Sequence, residues 1–523
     1  MNRLTKKNTA LTAGFMVMAT LLAKLCGMMR DIVMASLYGT DTNAAIAFST
    51  ASRIPLLFFD IALGSAVTSA FIPIFNEYLA KNEKEKAMQF SNQFISLVVL
   101  ITLLMVGLGI VFSRQFIWLI AGGLDADKLQ LASQLVVILF PTIFFTGLAY
   151  CFVGVLQSYG EFYIPSIISL VSNGLLVLYL LVFGDKFGIH GVAVAMLCAW
   201  ATQCLVQLPS LWKIRYRFKP SISFRSEGIR RACKLALPII ISTWMQPINT
   251  MVNIRLASGL NGGEAVTALD YANKLYIILV GVFTFTVTNL IFPSLSRASA
   301  TDDTRSYREI ITKALRYIVF IIAPIMVGFL ILSKPIIRLF YERNAFTEQS
   351  TQLTSLALFC YSLGMLGYGI QEISNKGFYA LHNGKTPMKV AFAGIAVNIS
   401  LSILFVLGFR IGLGGLALAA SIAANVIGFT LLWLLHRKVG NLLDRTMAAF
   451  FARIAVCVLA MGAGVYAAYQ AVLQVSANKL VVLFCPVVVG VVLYFGLCLL
   501  LRVPELTDLI DMVRKKLMGG RNN

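Results

Sequence analysis

The chain has 523 residues, of which 58% are hydrophobic and 13% charged, and its mean hydropathy is +0.81. A water-soluble domain could not bury that much apolar surface, so these values exclude a soluble globular protein and indicate a membrane protein. The net charge of +21 does not indicate a nucleic-acid partner, because the Lys and Arg residues are dispersed between apolar runs instead of forming one basic face.

The apolar runs predict an all-α polytopic protein with about fourteen membrane-spanning helices, since a hydrocarbon core of roughly 30 Å requires about 20 apolar residues per helix. The predicted helices cover residues 10–36, 43–78, 89–113, 129–157, 163–184, 189–212, 232–258, 264–295, 310–333, 350–380, 387–409, 411–436, 447–470 and 480–501. Alternate connections are rich in Lys and Arg, as around Lys81, Arg217, Arg305, Lys385 and Arg437. The positive-inside rule places these connections and both termini in the cytoplasm.

An internal repeat divides the chain into two halves. Residues 188–195 recur as 412–419, and the segment 71–73 recurs as 291–293 at nearly the same offset. Each half is therefore a predicted six-helix bundle in the same orientation, which favours a substrate site between the halves and alternating access. The predicted domains are 1–220 (first lobe), 221–440 (second lobe), 441–505 (the last two helices) and 506–523 (a cytoplasmic tail).

Charges inside the first two predicted helices mark candidate site residues, because an ionisable group in the membrane costs several kcal/mol unless it faces a partner or a wet cavity. These charges are Lys24, Arg30, Asp31, Arg53 and Asp60. Lys24 and Asp31 share a helix face, which favours a cavity-lining role; the alternative is an Arg30–Asp31 pair near the outer interface that only fixes the helix. Arg53 and Asp60 also share a face, and cavity lining and a structural ion pair both remain open for them.

The seventh predicted helix is polar and carries proline. Asn249 and Asn253 belong to a polar stripe at helical spacing, and Pro247 predicts a bend because it removes a backbone hydrogen bond. Arg255 lies off that stripe near the outer end of the helix. It is a candidate cavity residue, with snorkelling to the membrane interface as the alternative.

The eighth and tenth predicted helices carry further candidates. Asp270 and Lys274 are four residues apart and can pair along the helix, with Asn273 beside them. Glu372 and Lys376 repeat this spacing. Charges that pair within one helix are partly satisfied there, so each is weaker evidence for a substrate contact.

The sequence predicts a transporter and no enzyme. The nine cysteines and three histidines lack the spacing of zinc, redox or triad sites, and no Gly-rich phosphate-binding loop is present. We therefore predict no catalytic residue, no metal site and no cofactor.

Several motifs occur in order over most of the first twelve predicted helices. They are Lys24–Asp31 with Leu37–Gly39, Ser69–Pro73, Tyr271–Lys274 with Phe292–Ser296, and Gly377–Leu381 with Lys385–Lys389. Together they resemble the MurJ (MviN) family of lipid-linked peptidoglycan precursor flippases. The resemblance implies the fold of the MOP exporter superfamily, with two lobes around a cationic cavity and a groove for the lipid tail formed by the last two helices.

The resemblance also implies a function. Lipid II, an undecaprenyl-diphosphate-linked precursor, would be moved from the cytoplasmic to the outer leaflet of the bacterial inner membrane by a monomer that contacts membrane lipids and cell-wall synthesis proteins. By position, Lys24, Arg30 and Lys274 match the basic cavity residues of the family, and Asp31 matches the acid beside Arg30. Membrane potential or an ion gradient would drive transport.

The chain departs from the family pattern at two places. An Arg-Arg pair late in helix 2 and an Asp-Arg pair in helix 8 are replaced by Phe58-Phe-Asp60 and by Asn273-Lys274. The cavity charge is therefore reduced or redistributed, and Arg53 and Arg255 are the candidates to substitute. Three alternatives stay open: a flippase for another polyprenyl-linked oligosaccharide, a cation-coupled exporter like the MATE transporters, and a membrane enzyme that acts on the same lipid. The exporter would need an acidic cavity, and the enzyme would need a large outer loop.

Overall fold

The structure is a computed structural model that describes residues 3–223, 226–301, 303–440, 442 and 444–508. All regular secondary structure in these residues is helical, which confirms the predicted all-α class. The chain divides into two compact units: unit 1 is Met1–Thr267 with Arg343–Phe346, and unit 2 is Ala268–Glu342 with Thr347–Asn523.

Unit 1 contains the first twelve helices. They are α1 (Arg3–Tyr38), α2 (Asn43–Ala66), α3 (Ile72–Ala80), α4 (Lys84–Val111), α5 (Ser113–Ala121), α6 (Ala126–Leu139), α7 (Thr142–Ser158), α8 (Tyr163–Phe183), α9 (Gly188–Leu205), α10 (Leu208–Lys213), α11 (Glu227–Thr243) and α12 (Met245–Ser258). A π-helical turn, Val67–Phe71, joins α2 to α3.

Unit 2 contains the remaining helices, apart from the first turn of α13, which belongs to unit 1. They are α13 (Glu264–Ala300), α14 (Thr304–Phe340), α15 (Glu348–Ser362), α16 (Met365–Ala380), α17 (Lys385–Ile403), α18 (Leu413–Val439), α19 (Arg445–Val475) and α20 (Lys479–Leu500). A second π-helical turn, Leu404–Gly408, follows α17.

Each predicted span coincides with one helix or with consecutive helices in the structure. Among the described residues, ten helical segments are long and apolar enough to cross a membrane, and α15 and α16, bent by 45°, bring the number to as many as eleven. The chain is thus a multi-pass membrane protein. The predicted total of fourteen spans stays a prediction.

Prolines explain where two of the predicted spans are interrupted. A proline ring cannot donate to the carbonyl four residues earlier, and it clashes with that carbonyl. Accordingly α11 ends at Thr243, four residues before Pro247. The π-helical turn Val67–Phe71 similarly lies just before Pro73.

Both repeated glycines have a positive φ. Gly188 (φ +58°) begins α9, and Gly412 (φ +73°) immediately precedes α18. Positive φ is easily adopted only by glycine, so the same residue type is required at both positions. This agreement supports the internal repeat.

The core of unit 1 is an aromatic cluster that also receives α11. Phe71 stacks on Phe75 with ring centroids 5.2 Å apart and lies 5.0 Å from Phe94. Ile229 and Ala232 of α11 are buried in this same cluster. Packing therefore groups α11 with unit 1, whereas the repeat predicts a lobe boundary at residues 220 and 221; that boundary stays a prediction.

Candidate functional site

A polar network in unit 1 is centred on Arg30 of α1. Its Nε and Nη2 atoms donate to Asp31 Oδ1 at 3.1 and 3.0 Å, and its Nη1 donates to Asn173 Oδ1 of α8 at 2.9 Å. Asp31 is only 6% exposed, whereas the Arg30 side chain keeps 20% of its surface exposed. Arg30 is thus held from two helices and still has accessible surface.

The sequence prediction missed Asn173. This residue lies within the otherwise apolar helix α8, and its side-chain nitrogen donates to the carbonyl oxygen of Ser169 at 2.8 Å. A single amide in the middle of an apolar helix is a signal that could have identified it, because such a group needs hydrogen-bond partners. The predicted Arg30–Asp31 pair is formed, but it is not the whole arrangement.

The other predicted residues of the first two spans lie on α1 and α2. Lys24 is exposed on α1, and the part of the chain that the structure describes contains no ion pair to it. Arg53 is half-buried on α2. Asp60 belongs to α2, but its side chain lies outside the described residues.

Arg255 of α12 contacts the short helix α5. Its Nη1 donates to the carbonyl oxygen of Trp118 at 2.9 Å, and its guanidinium carbon lies 5.6 Å from the centroid of the Trp118 ring. Trp118 is 59% exposed, as is typical of tryptophan in the interfacial belt of a membrane. These contacts favour the interfacial alternative for Arg255.

The candidate charges of unit 2 are arranged along single helices. Lys274 Nζ lies 3.0 Å from Asp270 Oδ2 on α13, and Asn273 beside it is half-buried. Glu372 of α16 is also half-buried, but among the described residues it forms no ion pair with Lys376. Lys376 lies over the ring of Phe292 at 5.3 Å, and the pairing predicted along α16 stays a prediction.

An apolar groove of about 680 Å³ runs between α13, α14, α19 and α20 within unit 2. Its lining includes Phe283, Pro324, Gly328, Val465, Gly490 and Tyr494. The volume is in the range of pockets that bind small molecules or cofactors. Because the lining is almost entirely hydrocarbon, its natural occupant is apolar.

Ion pairs join α14 to the hairpin of α19 and α20 at both ends of these helices. Just after α14 ends, Glu342 Oε1 forms an ion pair with Nζ of Lys479, at the start of α20, at a distance of 3.1 Å. Toward the start of α14, Arg316 donates to Thr446 of α19 at 2.7 Å and lies 3.8 Å from the carboxylate of Glu505. These contacts fix the hairpin against α14.

The carboxylate of Glu342 is stabilised in its charged form. Burial alone would raise the pKa of Glu342, but hydrogen bonds from Thr351, Lys479 and Arg338 outweigh burial and lower the pKa below its usual range. The hydrogen bonds from Arg338 Nε and Thr351 Oγ1 are 3.0 and 2.9 Å long. Glu342 is therefore expected to carry its charge at neutral pH.

The residues that the structure describes contain no cluster of three or more His, Cys, Asp or Glu side chains that could hold a metal ion. All nine cysteines are free thiols, and five of them are buried. Buried thiols of this kind pack as small apolar side chains.

Sequence comparison gives one consistent family. A family model described as "Lipid II flippase MurJ" matches residues 34–490. The "Probable lipid II flippase MurJ" of Rhizobium meliloti (strain 1021) is 30% identical over 432 residues, which cover 80% of this chain and 79% of that protein. The protein of the same name from Buchnera aphidicola subsp. Schizaphis graminum (strain Sg) is 28% identical over 423 residues, which cover 80% of this chain and 82% of that protein.

Structural comparison agrees. A solved structure titled "Lipid II flippase MurJ, inward closed conformation" matches with a TM-score of 0.80 and 26% identity, covering 95% of this chain and 99% of that one. An inward-facing multidrug resistance MATE family transporter of the MOP superfamily matches with a TM-score of 0.68 at 16% identity, covering 80% and 95%. At that identity the second match concerns the fold alone, and it supports the predicted superfamily architecture.

Proposed function

The chain belongs to the lipid II flippase MurJ family, and we propose on that basis that it moves lipid II from the cytoplasmic to the outer leaflet of the bacterial inner membrane by alternating access. It is a transporter and not an enzyme. The observation that carries the site assignment is the placement of Arg30, a cation within a membrane helix that is oriented by two helices and keeps accessible surface.

Lys24 and Arg30 are the proposed principal contacts of the diphosphate. A cation inside the membrane is unfavourable by roughly 3 kcal/mol on insertion scales, so it marks an ion or substrate pathway more often than a packing role. Guanidinium binds phosphate oxygens through a planar fork, whereas ammonium acts as a point charge. Lys274 and Arg53 are proposed as further cations, while Arg255, held at Trp118, has weaker support.

The proposed site for the polyprenyl tail is the apolar groove of unit 2. Its lining offers hydrocarbon contacts along α14 and α20 and excludes a charged headgroup. With the tail in the groove and only the headgroup in an aqueous pathway, transport avoids moving sugars and phosphates through hydrocarbon. Asp31, Asp60, Asn273 and Glu372 are proposed as polar neighbours of this pathway.

The direction of transport follows from charge. The basic connections support cytoplasmic termini, and with the cytoplasm electrically negative the export of an anion is favoured by about 2.3 kcal/mol per charge per 100 mV. The membrane potential can therefore bias transport without nucleotide hydrolysis. We propose a monomeric transporter, because both repeats lie in one chain.

Complementation tests the proposed substrate. The chain is expressed in cells depleted of their own MurJ, and the leaflet of lipid II is read with a probe added outside. We expect growth to be restored and lipid II to become accessible to the probe. If the chain instead rescues only a mutant that lacks a flippase for another sugar polymer, lipid II is not its substrate.

Neutral variants test the proposed cations. Lys24→Met and Arg30→Met each remove a charge and keep an unbranched side chain, and we expect both to abolish lipid II translocation without lowering the amount of folded protein. Probe accessibility and the elution profile of the purified variants check these two statements. Normal translocation by both variants would remove the site assignment but leave the family membership intact.

A further inference from the structure

The hydrogen bond between Asn173 of α8 and Arg30 of α1 has a consequence for substrate recognition. Both ends of the Asn173 amide are used: the nitrogen donates to the Ser169 carbonyl oxygen at 2.8 Å, and the oxygen accepts from Arg30 Nη1 at 2.9 Å. A backbone carbonyl can only accept and a guanidinium can only donate. These partners therefore determine which way the amide is turned.

Glycines of α1 and α8 lie at the contact between the two helices at this point. A Cβ atom on Gly27 would lie 3.7 Å from Asn173 Oδ1, and one on Gly174 would lie 3.9 Å from Cys26 Sγ. Small residues let membrane helices approach closely enough for direct hydrogen bonds between side chains. The bond from Asn173 to Arg30 is thus part of the packing of the two helices.

Asn173 orients Arg30 without cancelling its charge. Asp31 already receives Nε and Nη2 of the guanidinium through one carboxylate oxygen. A second carboxylate at residue 173 would make the cluster anionic, which would oppose phosphate binding. The neutral amide instead fixes the direction of Nη1, and the side chain keeps 20% of its surface exposed for an incoming anion.

We propose that Asn173 is a positioning residue that sets the orientation in which Arg30 meets the diphosphate of the substrate. The inference rests on the proposed function. Without Asn173 the guanidinium turns toward Asp31 and presents fewer aligned N–H groups to phosphate oxygens. Recognition of the diphosphate depends on Asn173, whereas recognition of the polyprenyl chain does not.

Two substitutions separate orientation from charge. Asn173→Leu keeps the branched shape of the side chain and removes its acceptor and donor, whereas Asn173→Asp keeps an acceptor and adds a negative charge. Binding of undecaprenyl diphosphate and of undecaprenol to the purified protein in detergent is measured for each. We expect N173L to weaken diphosphate binding about tenfold, or about one unit in log Kd, N173D to weaken it further, and undecaprenol binding to stay unchanged in both.

The matched control is Asn398→Leu. Asn398 is a buried asparagine of α17, and it accepts a hydrogen bond from Ser402 of the same helix at 3.1 Å. N398L should leave the ratio of the affinities for undecaprenyl diphosphate and undecaprenol unchanged. If N173L does not fold, Asn173→Ser, which shortens the side chain, replaces it in the same comparison.

A double mutant provides the decisive result. If Asn173 acts through Arg30, Arg30→Met combined with N173L binds the diphosphate no more weakly than R30M alone. Equal weakening of both lipids by N173L, or additive losses in the double mutant, would overturn the positioning role. If R30M itself retains translocation, the proposed site fails; if R30M abolishes translocation and N173L does not alter diphosphate binding, only the role of Asn173 fails.

Discussion

The Arg30 network of unit 1 and the apolar groove of unit 2 differ in the partners that they require: the first contains a charge, and the second is a hydrocarbon surface. Arg30 is a charge in a helix that the sequence predicts to span the membrane, and directional hydrogen bonds to Asp31 and Asn173 compensate for lost contact with water. The groove is a hydrocarbon surface that needs no directional partner, so area and shape decide what it binds. Function should therefore depend on single atoms in the network and on free volume in the groove.

Arg30→Lys should produce the largest effect that still conserves charge. An ammonium cannot contact Asp31 and Asn173 in the geometry of the guanidinium fork, so we expect lipid II translocation to fall by roughly 10- to 100-fold, or about 1.4–2.8 kcal/mol. The initial rate at which lipid II becomes accessible to an external probe measures this.

Arg305→Lys is the control for that substitution. Arg305 is 90% exposed and pairs with Glu309 one turn along α14, and such surface pairs contribute little. We expect R305K to translocate lipid II normally. A fully active R30K would show that charge alone matters at this position. The Arg30 network would then not depend on the positions of single atoms.

Filling the groove should have the next largest effect. Gly328 lines it, and a Cβ atom there would have no neighbour within 4 Å, so Gly328→Leu projects into space proposed for the polyprenyl tail. We expect about a tenfold loss of lipid II translocation, equivalent to roughly 1.4 kcal/mol. An analogue with a short tail should be affected less, and the same accessibility assay compares the two substrates.

Gly496→Leu is the matched variant for the groove. Gly496 is also a helical glycine with no atom within 4 Å of an added Cβ, but it does not line the groove. Both substitutions gain the same helix propensity, so their difference reports on occupancy of the groove. Equal activity of the two variants would place the tail elsewhere.

Much of the fold could be read from the sequence because helix periodicity and proline act locally. The helices predicted at 232–258 required only the apolar run, and α11 ends four residues before Pro247. The grouping of α11 with unit 1 was not predictable. It depends on Ile229 packing into an aromatic cluster supplied by distant segments, and no local pattern encodes that contact.

The candidate site was predictable only in part for the same reason. Charged residues in apolar runs identified Lys24, Arg30 and Lys274, because an intramembrane charge is conspicuous. Asn173 was missed because a neutral amide is less conspicuous, and its role depends on a partner 143 positions away. The contact of Lys376 with the ring of Phe292 was not predicted either, because that ring belongs to another helix.

The smallest effect is expected at the end of the groove helices, where Glu342 stabilises the fold without binding substrate. Since hydrogen bonds lower the pKa of Glu342 in the folded state, its contribution is fully present above the unfolded pKa of about 4.3 and is lost as the pH falls through the folded pKa. Glu342→Gln should lower the melting temperature in detergent by a few degrees at neutral pH, consistent with about 1–3 kcal/mol for a hydrogen-bonded charge, and leave translocation nearly unchanged. The difference from the wild type should shrink as the pH is lowered from about 6 to about 3.5. Glu309→Gln removes an exposed ion pair, so its melting temperature should show no such pH-dependent difference from the wild type. If the difference for Glu342→Gln stays constant with pH, packing and not charge joins α20 to α14.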